Sequence, residues 1–206
     1  MTIQPGFGGT DFAPRQTTEG IMKATALLKK QHRRVERIFE NLEKGSADPA
    51  SELLELANNL AAHMAIEQNL FYPAARDIDG RLVAQSYEEH AIAELALKRV
   101  LTTAGDDPTF APKVTALKEL IERHIAEEEK ELFPEVEDKM DAEELDALGN
   151  EMSAAFEEAV AEGYESFLPE GIEASADGAR QSPIATRPER TRKHGAKKHG
   201  TAPHSH

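Results

Sequence analysis

Two stretches of the sequence place a histidine and a glutamate four residues apart within an apolar helical pattern. They are HMAIEQNLFYP, which contains His63 and Glu67, and HIAEEEKELFP, which contains His124 and Glu128. Residues four apart lie on the same face of a helix, about 6 Å apart along its axis. Burial of an unpartnered carboxylate costs on the order of several kcal/mol, and these faces carry no lysine or arginine. A bound divalent or trivalent cation would compensate the charge.

The distribution of histidines also favours a metal site. Four of the eight lie in the C-terminal tail, and the other four fall one to each of four predicted helices, at His32, His63, His90 and His124. A single histidine on an apolar face is typically a core residue hydrogen-bonded to a neighbour, but this explanation fits poorly when four successive helices each have one. Four imidazoles and two carboxylates suit two ions, because a carboxylate can bridge them. The sequence has no cysteine, so thiolate sites are excluded.

Apolar residues at steps of three and four predict the elements that position these side chains. Turn-forming stretches such as KGSADP and TAGDDP separate five predicted helices, at about 18–43, 50–77, 81–103, 109–138 and 141–163. No segment alternates apolar and polar residues in the manner of a strand, so the predicted class is all-α. The first four helices form an antiparallel bundle with the histidines on its buried seam. The fifth helix is amphipathic and packs against the bundle.

The predicted organisation is a disordered lead-in at residues 1–17, the bundle at 18–140, the additional helix at 141–164 and a disordered basic tail at 165–206. The net charge is −14, yet residues 169–206 carry seven basic and four acidic side chains. We therefore expect the acidic bundle to repel nucleic acid, so that only the histidine-containing tail could contact it. The sequence shows no secretory leader or membrane-spanning pattern. A cytoplasmic protein without a membrane partner is expected, and the oligomeric state is left open.

Several other site patterns are excluded. Di-iron bundles of the ferritin type use Glu-x-x-His, but the positions three residues before the four histidines hold Lys29, Leu60, Tyr87 and Ile121. The sequence also lacks His-Glu-x-x-His, a phosphate-binding glycine loop and a dinucleotide fingerprint. The metal ligands must therefore come from a different arrangement of helices.

The order of these residues resembles the hemerythrin-like (HHE cation-binding) family over about residues 20–140. One histidine precedes each His-x3-Glu pair, and the pairs are followed by Phe-Tyr-Pro or Leu-Phe-Pro. The resemblance implies an up-down-up-down four-helix bundle that holds a non-haem di-iron centre, with two iron ions per chain. It implies terminal ligands at His32, His63, His90 and His124, and bridging or chelating carboxylates at Glu67 and Glu128. The choice of iron over manganese or zinc rests on this resemblance, because ligand spacing does not distinguish them.

The sequence departs from the pattern of oxygen-carrying hemerythrins at two positions. Those proteins have a fifth histidine four residues after the third and an aspartate five after the last, where this chain has Glu94 and Glu129. The missing imidazole argues against reversible dioxygen carriage. Glu94 could act as a ligand or support one, and Glu36 shares its spacing from a histidine. Tyr87 is either a hydrogen-bond donor to an iron-bound oxygen species or a core tyrosine.

Three smaller expectations concern the residues around the pairs. Glu127 and Glu129 are expected to face solvent, outside the site. The prolines at 73 and 134 are expected to end or kink their helices, with no part in the chemistry.

Two classes of function remain open on the sequence. The pattern resembles bacterial hemerythrin-like proteins with two symmetric halves, for which iron or redox sensing and peroxide breakdown are implied. One hypothesis is a module that senses or handles iron, dioxygen, peroxide or another small ligand at the metal, as in oxidative stress. The alternative is a di-iron enzyme that breaks down hydrogen peroxide in a catalase-like reaction or oxidises ferrous iron. A metal-free structural bundle is disfavoured by its unpaired carboxylates. No catalytic residue is assigned.

Overall fold

A computed structural model of the chain describes residues 22–166, and all regular structure within this range is helical. The five helices are α1 (Ala24–Lys44), α2 (residues 49–75), α3 (Gly80–Leu101), α4 (residues 110–139) and α5 (Ala142–Glu162), followed by a short 3-10 turn, Tyr164–Ser166. The predicted all-α, five-helix architecture is confirmed. The predicted lead-in, the first residues of the first predicted helix and the tail from residue 167 lie outside the described residues.

Short polar signals set the helix ends. The Asp48 carboxylate accepts a hydrogen bond from the backbone N–H of Ser51 at the start of α2, and Asp79 does the same for two N–H groups of α3. At the start of α5, Asp141 and Glu144 form a reciprocal capping box. α1 ends at Gly45, whose φ of 80° is readily adopted only by glycine. These caps keep the connections short, so that consecutive helices run antiparallel.

The first four helices form a bundle in which each helix packs on its chain neighbour and α4 closes the ring against α1. Two apolar clusters fill its interior. One contains Leu28, Phe71 and Phe133, and the other contains Phe39 and Leu117. The four inner histidines lie along the helices between these two clusters. The core is therefore interrupted by one polar layer at the middle of the bundle.

α5 packs across α1 and α2 and buries Leu145 and Met152. Gly149 of α5 lies directly against the backbone at the start of α1. A Cβ atom at this position would lie 2.0 Å from the backbone oxygen of Met22 and 2.8 Å from the backbone nitrogen of Ala24. Only a residue without a side chain permits this contact. Among residues 22–166, no helix is both long and apolar enough to span a membrane.

Candidate metal centre

The six predicted ligands meet at the polar layer. Each of the six residues is at most 3% exposed. Their nitrogen and oxygen atoms form two groups, within each of which the atoms lie no more than 4.8 Å apart: His32, His63, Glu67 and Glu128 in one, and Glu67, His90 and His124 in the other. Glu67 belongs to both groups, as expected for a carboxylate that bridges two ions.

The imidazoles are arranged as two pairs. The rings of His32 and His63 lie edge to face with centroids 4.8 Å apart, and those of His90 and His124 lie 4.7 Å apart in the same way. The Nε2 atoms of His90 and His124 are separated by 3.0 Å. This is roughly the separation of two nitrogens bonded at a right angle to one ion with bonds of about 2.1 Å. Each pair could therefore face one ion.

Each carboxylate spans from one histidine pair to the other. Oε2 of Glu67 lies 3.2 Å from Nε2 of His63 and 3.4 Å from Nε2 of His90. Oε2 of Glu128 lies 3.4 Å from Nε2 of His32 and 3.6 Å from Nε2 of His124. The Oε2 atom of each glutamate thus lies near imidazole nitrogens from both histidine pairs, and the two glutamates offer oxygens within 4.8 Å of each other.

Several of these buried atoms have no hydrogen-bond partner. They are Nε2 of His32, both carboxylate oxygens of Glu67 and Oε2 of Glu128. Buried polar atoms in proteins are nearly always satisfied, because an unsatisfied one costs about 1–3 kcal/mol. Imidazole nitrogen and carboxylate oxygen are suitable ligands for first-row transition metals. The unpartnered atoms and the donor set both fit a pair of such ions.

The outward-facing nitrogen of each imidazole, Nδ1, has its own partner. For His32 the partner is Oε1 of Glu129 at 2.8 Å, and for His63 it is Oε1 of Gln31 at 2.9 Å. For His90 the partner is Nε2 of Gln68 at 3.2 Å, and for His124 it is Oε2 of Glu89 at 2.9 Å. An acceptor at Nδ1 holds the ring proton there and leaves the Nε2 lone pair for a metal.

His90 differs from the other three histidines in the partner of its Nδ1. The amide nitrogen of Gln68 faces Nδ1 and also donates to Glu94 at 3.2 Å. A cation on Nε2 of His90 requires a proton on Nδ1, and an amide nitrogen cannot accept from that proton. To serve a protonated Nδ1 of His90, the amide of Gln68 would have to present its oxygen instead of its nitrogen.

These Nδ1 partners distinguish the two histidines near Glu128 from the two near Glu67. Glu128 lies between His32 and His124, the histidines whose Nδ1 contacts a carboxylate. Glu67 lies between His63 and His90, whose Nδ1 contacts a glutamine. In the sequence, Gln68 and Glu129 each follow a ligand glutamate, and Gln31 and Glu89 each precede a ligand histidine. The four partners therefore occupy equivalent positions in the two halves of the internal repeat. The inner ligands are thus the same residue types in both halves, whereas the outer partners are glutamines in the first half and glutamates in the second.

The pKa shifts follow from this layout. Burial and the neighbouring carboxylate of Glu128 hold the pKa of Glu67 well above its usual range, whereas the pKa of Glu128 is lowered because His124 and His32 outweigh the effect of burial. Burial and the nearby His124 lower the pKa of His90 to about 3, and burial lowers the pKa of His63 in the same way. Unprotonated imidazoles keep the lone pairs that metal ligation requires.

Both ligand glutamates begin a π-helical turn. The turns are Glu67–Phe71 and Glu128–Leu132, and in each the N–H five residues after the glutamate donates to the glutamate carbonyl. Such turns are rare and often mark functional sites. The widened turn carries Tyr72 and Phe133 into the core directly beside the ligands, where both are fully buried.

Tyr72 reaches the centre, and the sequence reasoning missed it. Its hydroxyl donates to Oε1 of Glu128 at 2.8 Å and lies 3.0 Å from Nε2 of His90. Burial and the nearby carboxylates raise its pKa well above 10, so it stays protonated. At the equivalent position of the repeat, Phe133 stacks on the ring of His32 with centroids 5.8 Å apart. The two equivalent positions of the repeat thus differ by one hydroxyl group.

The structure decides four of the subsidiary expectations. Glu94 accepts a hydrogen bond from Gln68 and belongs to neither ligand group. Glu36 pairs with Arg33, away from the centre. The hydroxyl of Tyr87 donates to the backbone oxygen of Gln68 at 2.8 Å. The expectation that Glu129 simply faces solvent was wrong, because it contacts both His32 and Arg33.

The prolines that follow the π turns do not end their helices. α2 continues to Ala75 beyond Pro73, and α4 continues to Lys139 beyond Pro134. Proline has no N–H, so Pro73 cannot donate to the carbonyl of Gln68 five residues earlier. The hydroxyl of Tyr87 donates to that carbonyl instead. The expected helix termination is therefore corrected to a local widening.

A small apolar cavity adjoins the four imidazoles. Its volume is about 10 Å³, and its other lining residues are Val35, Leu60, Met64, Ile121 and Ile125. This is room for about one water-sized molecule. Any exogenous ligand that enters it must be small and tolerant of apolar walls.

Comparisons with known proteins agree with this arrangement. The family model for the hemerythrin HHE cation binding domain matches residues 23–136, more than half of the chain. A solved structure of a hemerythrin HHE cation binding domain-containing protein from Mycobacterium kansasii is similar, with a TM-score of 0.61 and 27% identity over 68% of this chain and 89% of that one. A relative from Nostoc sp. (strain PCC 7120) named DNA nickase is 24% identical over 138 residues, which are 65% of this chain and 39% of the relative.

The chain thus spans well under half of the Nostoc protein, and the similarity concerns that part alone. The family match, by contrast, covers all four bundle helices that carry the histidines up to residue 136. The match, the fold and the buried cluster of imidazoles and carboxylates agree. The chain belongs to the hemerythrin HHE cation-binding domain family.

Proposed function

We propose that the chain is a non-haem di-iron protein whose buried centre senses or handles dioxygen, peroxide or iron. The observation that carries this proposal is the set of four unpartnered, buried ligand atoms on His32, Glu67 and Glu128. A folded core tolerates such atoms when a cation completes their coordination. Membership of a cation-binding family supports the same conclusion.

The residues that would hold the ions follow from the two groups. His32 and His63 would serve one ion and His90 and His124 the other, with Glu67 in both groups and Glu128 in the first, its Oε2 atom 3.6 Å from Nε2 of His124. Iron, once bound, supplies one-electron redox chemistry towards dioxygen and peroxide. The protein's own contribution is to exclude bulk water, to fix the imidazoles through their Nδ1 partners and to limit access to the volume of a small molecule.

A second candidate function is catalytic breakdown of hydrogen peroxide, and Tyr72 favours it. Disproportionation of two peroxide molecules to dioxygen and two waters moves protons between oxygen atoms, so a buried hydroxyl that donates a hydrogen bond at the centre would assist it. The hydroxyl of Tyr72 is the group in that position, hydrogen-bonded to Glu128 and close to His90. Oxidation of ferrous iron by dioxygen is the other reaction in this class. The name of the Nostoc relative supports no proposal of DNA cleavage, because this chain spans only 39% of that protein.

The experiment that separates these functions is dioxygen evolution from hydrogen peroxide by the iron-loaded chain. Sustained turnover that is lost in Glu67→Ala and slowed in Tyr72→Phe would support the enzyme. One reaction per centre, without turnover, would support a sensing or handling role. No reaction from a chain with two irons bound would contradict both versions. Tyr87→Phe is the matched control, because that hydroxyl donates to the backbone oxygen of Gln68 and not to a ligand glutamate.

A further inference from the structure

The outer face of α3 carries a stripe of exposed residues at helical spacing. Residues three or four positions apart lie on the same face of a helix. Six residues of α3 follow this spacing, and all of them are exposed: Arg81, Ala84, Glu88, Ile92, Leu95 and Arg99. The additional helix α5 packs on α1 and α2, and the stripe is left open to solvent.

The centre of the stripe is apolar. Among residues 22–166, three large apolar residues are exposed, and two of them, Ile92 and Leu95, are neighbours on α3. Ile92 is 54% exposed and Leu95 is 36% exposed, and the exposed Ala91 lies beside them. A single exposed apolar residue is normal on a protein surface. Adjacent ones at the spacing of a helix-packing seam form a small patch that another helix can cover.

Two opposite charges flank the apolar patch at equal distances along the helix. Glu88 lies four residues before Ile92, and Arg99 lies four residues after Leu95. The positions three and four residues from Glu88 and from Arg99 hold no charged residue. Neither side chain forms an ion pair with another residue of the range 22–166. Both charges are therefore available to a partner that covers the patch.

This order of residues is complementary to itself under a two-fold axis. When two copies of α3 pack antiparallel, with the axis midway between Ile92 and Leu95, Ile92 of each copy faces Leu95 of the other. Residues at equal distances on either side of the axis then face each other, so Glu88 of each copy meets Arg99 of the other. The symmetry repeats every contact, which gives two apolar contacts and two ion pairs.

The charge of α3 also favours contact between two copies at this helix. The net charge of the chain is −14, so two copies repel each other in general. α3 carries three acidic and three basic residues and is neutral, whereas α5 carries seven acidic residues and no lysine or arginine. Two copies therefore meet with less repulsion through α3 than through α5.

We propose that the exposed stripe of α3 is the interface of a homodimer, in which two copies pack antiparallel through Ile92 and Leu95 and pair Glu88 with Arg99. The interface stands apart from the proposed function, because the ligand histidine of this helix, His90, lies on its buried face. A contact made mainly by one helix from each copy is small, and small interfaces are typical of weak, transient association. The dimer should therefore form reversibly as the protein concentration rises.

Association is tested by sedimentation equilibrium of the full chain from about 10 μM to about 1 mM, the range of weak complexes. We expect the mean mass to rise from 22.6 kDa towards twice that value. Ile92→Ser should weaken association at least about tenfold, because the dimer loses two buried apolar contacts. Leu54→Ser is the matched control, since Leu54 is 52% exposed and lies on α2. A monomer at every concentration, or equal weakening by both variants, would overturn the proposal.

Charge reversal tests the antiparallel register. Glu88→Arg and Arg99→Glu each place like charges opposite each other twice in the dimer, so each variant alone should associate at least about tenfold more weakly. An equimolar mixture of the two variants should regain the association of the wild type, because every pair then joins an arginine to a glutamate. Glu151→Arg, at an exposed position of α5, is the control for the change in net charge and should associate like the wild type. A mixture that associates no better than either variant alone would contradict the proposed interface.

Discussion

Nε2 of His32 lies 3.4 Å from Oε2 of Glu128, and neither atom has a hydrogen-bond partner although both side chains are buried. The two residues come from α1 and α4, the helices that close the bundle. Packing of the apolar clusters on either side brings these atoms together, and a cation between them would satisfy both. Burial of these unpartnered atoms is thus unfavourable in the metal-free bundle, and a bound cation would stabilise the folded chain.

Replacement of Tyr72 by phenylalanine tests the role of the buried hydroxyl. Tyr72→Phe removes the donor to Glu128 and makes this half of the centre resemble the half that already has Phe133. We expect two irons to remain bound, while reaction with hydrogen peroxide slows at least about tenfold because a positioned hydrogen-bond donor is lost. Stopped-flow spectroscopy of the iron-loaded protein measures this rate. An unchanged rate, with Tyr87→Phe as the reference, would remove Tyr72 from the chemistry.

The carboxylates that contact Nδ1 of His32 and His124 are expected to raise the affinity of the centre for metal ions. Glu129→Gln and Glu89→Gln replace a charged acceptor at Nδ1 with a neutral one, so each imidazole becomes a weaker ligand. Changes of this kind typically cost about 10–100-fold in metal affinity. Competition with a chelator measures the effect, and the exposed Glu122→Gln is the control. Equal affinity in all three variants would show that the outer carboxylates have no such role.

The pH dependence of the metal-free protein follows from His90. Its pKa is lowered from 6.5 to about 3 in the folded chain, so below pH 6.5 the unfolded chain takes up a proton that the folded chain does not. The free energy of unfolding should therefore fall as the pH drops from 6.5 towards 3, by about 1.4 kcal/mol per pH unit for this histidine. The lowered pKa of His63 should add to this fall in the free energy of unfolding.

Glu67 acts in the opposite direction, because its raised pKa favours the folded chain at low pH and this contribution is lost as the pH rises above 4.5. The contributions of His63 and His90 together outweigh that of Glu67, so the free energy of unfolding should fall on acidification from pH 6.5 to 4.5. Urea unfolding in the presence of a chelator measures it. His90→Leu should reduce the slope by about 1.4 kcal/mol per pH unit, and an unaltered slope would contradict the assignment.

Much of the fold and of the inner ligand set could be predicted from the sequence, because both depend on helical periodicity. The apolar stripes of α1 to α4 each contain one histidine, and the His-x3-Glu spacing keeps Glu67 and Glu128 on the same faces. Once the stripes are buried together, these side chains must meet. The turn signals and caps that separate the helices are equally local.

The π turns and the outer partners could not be predicted in the same way. A His-x3-Glu pair is compatible with a regular α-helix, so nothing local indicates that the next turn widens and moves Tyr72 inward. Glu89 and Gln31 contact histidines on neighbouring helices, and such contacts depend on helix rotation rather than on spacing. One signal was available. The repeated aromatic residue before proline, at Tyr72 and Phe133, marks equivalent positions in both halves.

The contact between α5 and the start of α1 gives a prediction for stability. Gly149→Ala places a methyl group against the backbone of Met22, where no flexible side chain can move aside. We expect a loss of at least about 2 kcal/mol in the free energy of unfolding, as for other overpacked sites. Gly80→Ala is the matched control, since a Cβ there meets nothing within 4 Å. Equal stability of the two variants in chemical denaturation would contradict this account of α5.

The most direct test of the central claim is elemental analysis of the full chain, purified after expression with iron supplied. The arrangement of His32, His63, His90 and His124 around two shared carboxylates predicts about two irons per chain. His63→Ala and Glu67→Ala should lose them, while Tyr87→Phe should keep them. One ion per chain, zinc in place of iron, or no metal in a correctly folded bundle would contradict the di-iron account.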